Sequence, residues 1–227
     1  MSNNKPSGEN QVEQLLIVEG SNDQHVVWAL AKRHQLPQTF SVEIPEENHK
    51  RGGIGLVLDR LRVELKRNKL KTLGIVIDAD RNIDSQWQRI KDILVKSGYP
   101  IIPDHPQPEG WIQVLSDGVG RTKIGVWLMP NNQLPGILED FVKALIPEND
   151  LLLAKAEAII QEIEQEQLNR YSQVDHAKAL IHTWLAWQKE PGQPMGQAIT
   201  AKALQSDSAI AAKFVDWLNQ LFNPIDQ

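Results

Sequence analysis

The chain contains no cysteine. Disulfides and thiolate metal sites are therefore excluded. It also lacks any apolar run near the roughly 18–20 residues that a membrane-crossing helix needs. No membrane span is expected. The N-terminal stretch MSNNKPSGENQVEQ is polar and has no apolar core of the kind an export signal carries. Residues 1–12 read as a disordered tail, and the cytoplasm is the expected compartment. Tyrosine is scarce. Only Tyr99 and Tyr171 occur, and neither sits in a motif that would make it a nucleophile. An excess of basic charge is missing too. The formal net charge is -5, which gives no global drive toward nucleic acid or anionic membrane.

What is present is an ordinary globular composition, 41% hydrophobic and 23% charged over 227 residues. That length suits one large domain or two small ones. Charge is unevenly placed. From Asn149 onward six Lys/Arg face ten Asp/Glu. Residues 49–71 are locally basic: Lys50, Arg51, Arg60, Arg62, Lys66, Arg67, Lys69 and Lys71 stand against only Asp59 and Glu64. A solvated helix face and a surface for phosphate backbones are both consistent with that pattern.

The periodicity alternates. QLLIVE reads as a buried strand, and NDQHVVWALAKRH as a helix capped by Ser21 or Asn22. TFSVEI is a second strand and PEENHKRGG a polar loop. Ile54, Val57, Leu58, Leu61 and Leu65 form one helical stripe, predicting a helix from about Ile54 to Arg67. TLGIVID is a third strand, apolar on both faces. SQWQRIKDILVKSG is a third helix, capped by Ser85. GWIQVLS, DGVG and TKIGVWLMP read as strand, turn and strand at a sheet edge. GILEDFVKALI is a short helix. From Glu148 onward all signals are helical, at roughly 149–168, 172–189, 195–205 and 208–221. The predicted fold is α/β: a doubly wound, mainly parallel sheet with an antiparallel edge hairpin over residues 13–147, plus a C-terminal helical region over 148–227. That region reads equally as a small domain or as an appendage on the sheet. Trp28, Trp127, Trp184, Trp187 and Trp217 fall in apolar patterns and are expected in the core.

Two carboxylates end strands. Glu19 closes the first in LLIVEGSND, and Asp78 closes the third in GIVIDADRN. In a parallel sheet both lie at the carboxyl edge, where open α/β sheets bind ligands. Asp80 follows Asp78 by two, so an extended backbone would aim both the same way. Like charges so close repel unless protons or a cation neutralise them. Hard oxygen donors with no cysteine and no histidine cluster suit Mg²⁺ or Mn²⁺.

The spacing of VEGSND and VIDAD resembles the Toprim domain of topoisomerases, bacterial primases and the overcoming-lysogenization-defect nucleases. The resemblance covers roughly residues 13–145. KIGVWLMPNNQLPGILEDF and DHAKALIHTWLAWQKEPGQPMGQAITAKAL are similar to segments of an uncharacterised Toprim-like prokaryotic family, over nearly the whole chain. The Toprim resemblance implies a glutamate acting as acid/base or metal ligand, here Glu19. It implies that Asp78 and Asp80 hold Mg²⁺ and that Asp23 joins the site, as in the nuclease branch. The domains that accompany topoisomerases and primases are not recognisable here, so strand passage and priming are not expected.

Further candidates surround these. Glu139 and Asp140 open a helix, where acids are favoured, or supply a second metal. Lys50 and Arg51 precede Gly52 and Gly53 as a phosphate cradle or an ordinary loop. Lys178 borders the stripe Val174, Ala177, Ile181, Trp184 and Leu185; it snorkels, or it faces a phosphate as a lysine does in some nucleases of the Toprim type. His25, His49, His176 and His182 have no metal spacing. The expected function is divalent-metal-dependent phosphoryl transfer, as a nuclease on DNA or RNA. The rival classes are a module binding a nucleotide, phosphate ligand or protein partner, and a component of an assembly docked through its C-terminal helices.

Overall fold

Leu15, Leu16, Ile17 and Val18 are all fully buried, so the first apolar run is a strand covered on both faces. In the computed structural model, which describes residues 13–47, 49–114 and 122–224, the strands are β1 (Gln14–Val18), β2 (Ser41–Glu43), β3 (Glu46–Glu47), β4 (Lys50–Arg51), β5 (Thr72–Asp78), β6 (Trp111–Gln113) and β7 (Lys123–Met129). The main sheet has the order β2-β1-β5-β7-β6. All its pairs are parallel except β6 with β7. The expected antiparallel edge pair is therefore present; its expected turn lies outside the described residues, as does the expected tail.

Side-chain alternation along the strands feeds two apolar layers. Leu16, Val18, Val76, Trp127 and Met129 point to one. Leu15, Ile17, Leu73, Ile75, Ile77, Ile124, Val126 and Leu128 point to the other. The second layer is closed by α2 (Ile54–Glu64) and α3 (Ile83–Lys96) through Val57, Leu58, Leu61, Trp87, Ile90 and Leu94. The first is closed by α1 (Ser21–Arg33), α4 (Leu138–Lys143), α5 (Leu151–Gln165), α6 (His176–Ala186), α7 (Met195–Thr200) and α8 (Ala209–Phe222).

The open question of the C-terminal helices is thereby answered. They share the apolar layer of the sheet, and α8 lies directly on it. Gly74 and Gly125 permit this contact: a Cβ on either would sit 2.9 Å or less from a Leu221 methyl carbon. Trp127 stacks edge-on to Phe214 and tilts against Trp217.

Local details depart from expectation. The polar loop 45–53 contains the short antiparallel pair β3–β4. The cap of α1 is Gly20, with no side-chain bond. Asn82 caps α3, its side chain accepting from the Ser85 amide at 2.8 Å. Helix α2 stops at Glu64 because the next amides turn back three residues, Lys66 to Val63 and Arg67 to Glu64. Val174 is half exposed in a short 3₁₀ turn (Gln173–Asp175) before α6. Trp28 and Trp187 are 41% and 39% exposed, not core, whereas Trp127, Trp184 and Trp217 are fully buried. Trp28 is exposed on the outer side of α1, and Trp187 follows the last residue of α6, where the stripe has ended.

Candidate functional site

Strands β1 and β5 are neighbours, so their carboxyl ends bring Glu19 and Asp78 side by side. Glu19 Oε1 accepts from the Asp78 amide at 2.8 Å. A second backbone amide, that of Ile54 at the start of α2, also bonds the Glu19 carboxylate. Asp78 Oδ1 accepts from the Leu138 amide at 2.9 Å, at the start of α4. Asp23, in the first turn of α1, reaches back to the Gly20 amide, as acids at that position do. Three helix N-termini thus face one carboxylate cluster, and their partial positive charge favours it.

That stabilisation is incomplete. Burial pushes Glu19 up to about 7, with the Asp80 charge adding to it and the two amides opposing. Burial and then the Glu19 charge raise Asp23 to about 7. Asp78 rises to about 9, through burial first and then the charges of Glu19, Asp23, Glu139 and Asp80. Glu139 is buried and also raised by burial, while Lys178 and His182 pull it back. Glu19, Asp23 and Asp78 therefore each feel neighbouring acids.

Asp80 is placed differently from expectation. Its backbone is left-handed, with φ at 53°, so the extended geometry assumed for DxD ends at Asp78. Asp80 instead bridges Gly136 through a reciprocal pair of backbone hydrogen bonds. Its Oδ2 accepts from Gln86 Nε2 at 2.8 Å. It lines an open cleft of about 780 Å³ with Arg81, Ser85, Gln86, Asp140 and Val174. Asp140 accepts from the Ile137 amide at 2.9 Å and serves to cap α4.

The structure brings Glu19, Asp23, Asp78, Asp80 and Glu139 into one electrostatic cluster. Lys178 lies close enough to act on Glu139, and its Nζ is 3.8 Å from Asp175. Lys50 and Arg51 are exposed on β4, and no carboxylate of the cluster draws its shift from them. Their loop does touch the site: the Gly53 amide donates to the Glu19 carbonyl at 2.9 Å. Gln86, Arg89 and His182 were not anticipated. Arg89 acts on Glu19 and donates to Gln86 Oε1 at 2.8 Å. The available signal for Gln86 and Arg89 was their place in the first two turns of the helix after VIDAD.

Among the described residues, no three His, Asp or Glu side chains are already grouped to hold a metal ion. The donor chemistry nevertheless suits a hard cation, being all oxygen. Asp23 Oδ1 is buried with no hydrogen-bond partner, and such an orphaned acceptor is costly unless something satisfies it.

The model of a protein family described as of unknown function, DUF3226, matches residues 13–223. The chain belongs to the DUF3226 family. No curated protein and no solved structure matches it. In this DUF3226 chain the match takes in every residue of the acidic cluster together with α5 to α8.

Proposed function

We propose that the protein is a divalent-metal-dependent phosphoryl-transfer enzyme, a nuclease acting on DNA or RNA. The observation that carries this is the set of acids Glu19, Asp23, Asp78, Asp80 and Glu139 near one sheet edge, close enough for their charges to act on one another, with several raised mainly by burial. A cluster held so far from its ordinary ionisation gains most from a cation. The residue pattern's resemblance to Toprim domains supports the same reading.

Glu19, Asp78 and Asp80 would hold Mg²⁺ or Mn²⁺, with Asp23 and Glu139 available to a second ion. When bound, such an ion neutralises phosphoryl oxygens and makes water a better nucleophile. The protein's own residues do the rest. The α1, α2 and α4 amide ends orient the carboxylates. Glu19, raised to about 7 before a cation binds, would release its proton on becoming a ligand. Lys178, beside Glu139, offers a cation to a phosphate, and Lys50 and Arg51 flank the loop that closes on Glu19. The cleft lined by Asp80 and Asp140 would receive the substrate at the Asp80 side of the cluster.

The test is cleavage of single- and double-stranded DNA and RNA by purified protein with Mn²⁺ and with EDTA. Cleavage is expected only with the metal. Asp78→Ala and Glu19→Gln are expected to reduce it a hundredfold or more, a loss typical of removing a group that stabilises transition-state charge. Intact nucleic acid in every condition sinks the enzyme reading.

A second reading is a non-catalytic module that binds a nucleotide or phosphate ligand. It is favoured by one observation: the carboxylates are tied to backbone amides rather than grouped around a point. Calorimetry separates the two, since metal and nucleotide binding without turnover supports the module.

A further inference from the structure

Helices α2 and α3 cover the same face of the sheet, and a groove of about 400 Å³ runs between them. Arg62 and Lys66 line it from the α2 side, and Arg89 and Lys96 from α3. Asp92 is the one carboxylate in its lining. All four cations are exposed. Arg62 pairs with Asp59, and Arg89 is bonded to Gln86. Lys66 and Lys96 have no ion-pair partner among the described residues.

This arrangement is unfavourable by itself. Arg62, in the last turn of α2, and Lys66, in the turn just after it, put two like charges on one side of the groove. A second pair from another helix worsens the repulsion. In a chain of net charge -5, carboxylates were available to balance these cations, yet Lys66 and Lys96 stand without one. A polyanion in the groove would relieve all four.

The groove is also wired to the acidic cluster. Arg89 lines it and acts on Glu19. Through Gln86, Arg89 connects to Asp80, each bond being 2.8 Å long. From Arg89 to Lys96 the helix rises about 10 Å. A nucleic-acid strand advances about 3.4 Å per phosphate along its axis, so about three phosphates would fit that length. A single nucleotide at the acidic cluster could not also reach Lys96.

We infer that the α2–α3 groove binds the sugar–phosphate backbone of a nucleic-acid strand through Arg62, Lys66, Arg89 and Lys96, outside the carboxylate cluster. The inference rests on the nucleic-acid part of the function proposed above and extends it from a reactive site to a polymer track.

The experiment is fluorescence anisotropy of a labelled 20-nucleotide single-stranded DNA with the full chain in EDTA, so that binding is read without cleavage. Lys66→Gln/Lys96→Gln is expected to weaken binding about tenfold or more and to flatten the plot of log K against log salt by about 1.4, the slope of two lost contacts. Both single variants are expected to fall between, and melting temperatures check that all remain folded. Unchanged affinity and slope in the double variant, or no binding by the wild type at low salt, overturns the groove. Displacement of the DNA by inorganic tripolyphosphate at equal phosphate concentration also overturns it, by assigning the cations to free polyphosphate. The two proposals fail separately. A binding defect in the double variant with no Mn²⁺-dependent cleavage by wild type keeps the groove and removes the enzyme. Cleavage with unaltered binding in the double variant does the opposite.

Discussion

Glu19 Oε1 accepts a hydrogen bond from the Asp78 amide at 2.8 Å across the β1–β5 boundary. One acid of the cluster thus holds the backbone of another. The bond orients Glu19 but does not neutralise it, because burial and the neighbouring acids still raise both groups. Burial of like charges therefore costs stability at this edge.

Stability of the metal-free protein should fall as pH rises. Glu19 and Asp23 titrate near 7 and Asp78 near 9 in the folded chain, against about 4 when unfolded. Between these values the folded state binds more protons than the unfolded state, so the unfolding free energy declines with pH. The melting temperature in EDTA should be lower at pH 8.5 than at pH 6. Asp78→Asn should flatten that dependence and raise the pH 8.5 value by about 2 kcal/mol, roughly 4–8 °C for a chain of this size. Mn²⁺ should narrow the gap in the wild type only. A wild-type profile flat from pH 5 to 9 would contradict the raised carboxylates.

Gly52 and Gly53 offer a paired test of how the loop supports Glu19. Both have positive φ, 79° and 88°. A Cβ at Gly52 would lie 2.2 Å from the Glu19 carbonyl oxygen, while one at Gly53 meets nothing within 4 Å. Gly53→Ala should cost the backbone strain alone, about 1–3 kcal/mol, because its φ of 88° with ψ of 152° is a region that only glycine adopts readily. Gly52→Ala should cost more than Gly53→Ala, because the clash with the Glu19 carbonyl adds to the strain. Urea midpoints measure the difference. Equal losses would mean the loop does not bear on Glu19.

The seat of α8 can be examined by a double-mutant cycle. A Cβ at Gly125 would come 2.6 Å from Leu221 Cδ2. Gly125→Ala should destabilise by about 1–3 kcal/mol through overpacking, and Leu221→Ala by about 2–5 kcal/mol through the cavity. The double variant should be more stable than the sum by about 1 kcal/mol, since each change relieves the other. Strict additivity would place α8 off the sheet.

Lys178→Met tests whether that cation serves Glu139. Lys178 pulls the raised Glu139 back toward its ordinary value, so its removal should raise the Glu139 carboxyl further. Titration of the side-chain carboxyls by NMR should show Glu139 moved upward in the variant, and an unmoved Glu139 would mean that the cation does not serve it.

Sequence alone settled the α/β alternation and the edge at which Glu19 and Asp78 meet. Both follow from local periodicity: apolar runs make strands, and loops begin where strands end. It also marked Asp23, Glu139 and Lys178 as candidates, and all three lie in or beside the cluster. It could not show whether the backbone stays extended through Asp80, and there the chain turns left-handed instead. It misjudged Trp28 and Trp187, because an apolar stripe says neither where its rim meets solvent nor where its helix ends.

Tertiary structure decided the rest. The pairing of β1 with β5 turned two strand ends about sixty residues apart into neighbours. The packing of α2 beside α3 made a groove of cations that are scattered from Arg62 to Lys96. The tie from Arg89 through Gln86 to Asp80 exists only because the helix after β5 starts at the same edge. Backbone propensity acts over a few residues, and so sequence can dictate it. Electrostatic coupling between distant segments depends on distance in space, and only the fold sets that distance.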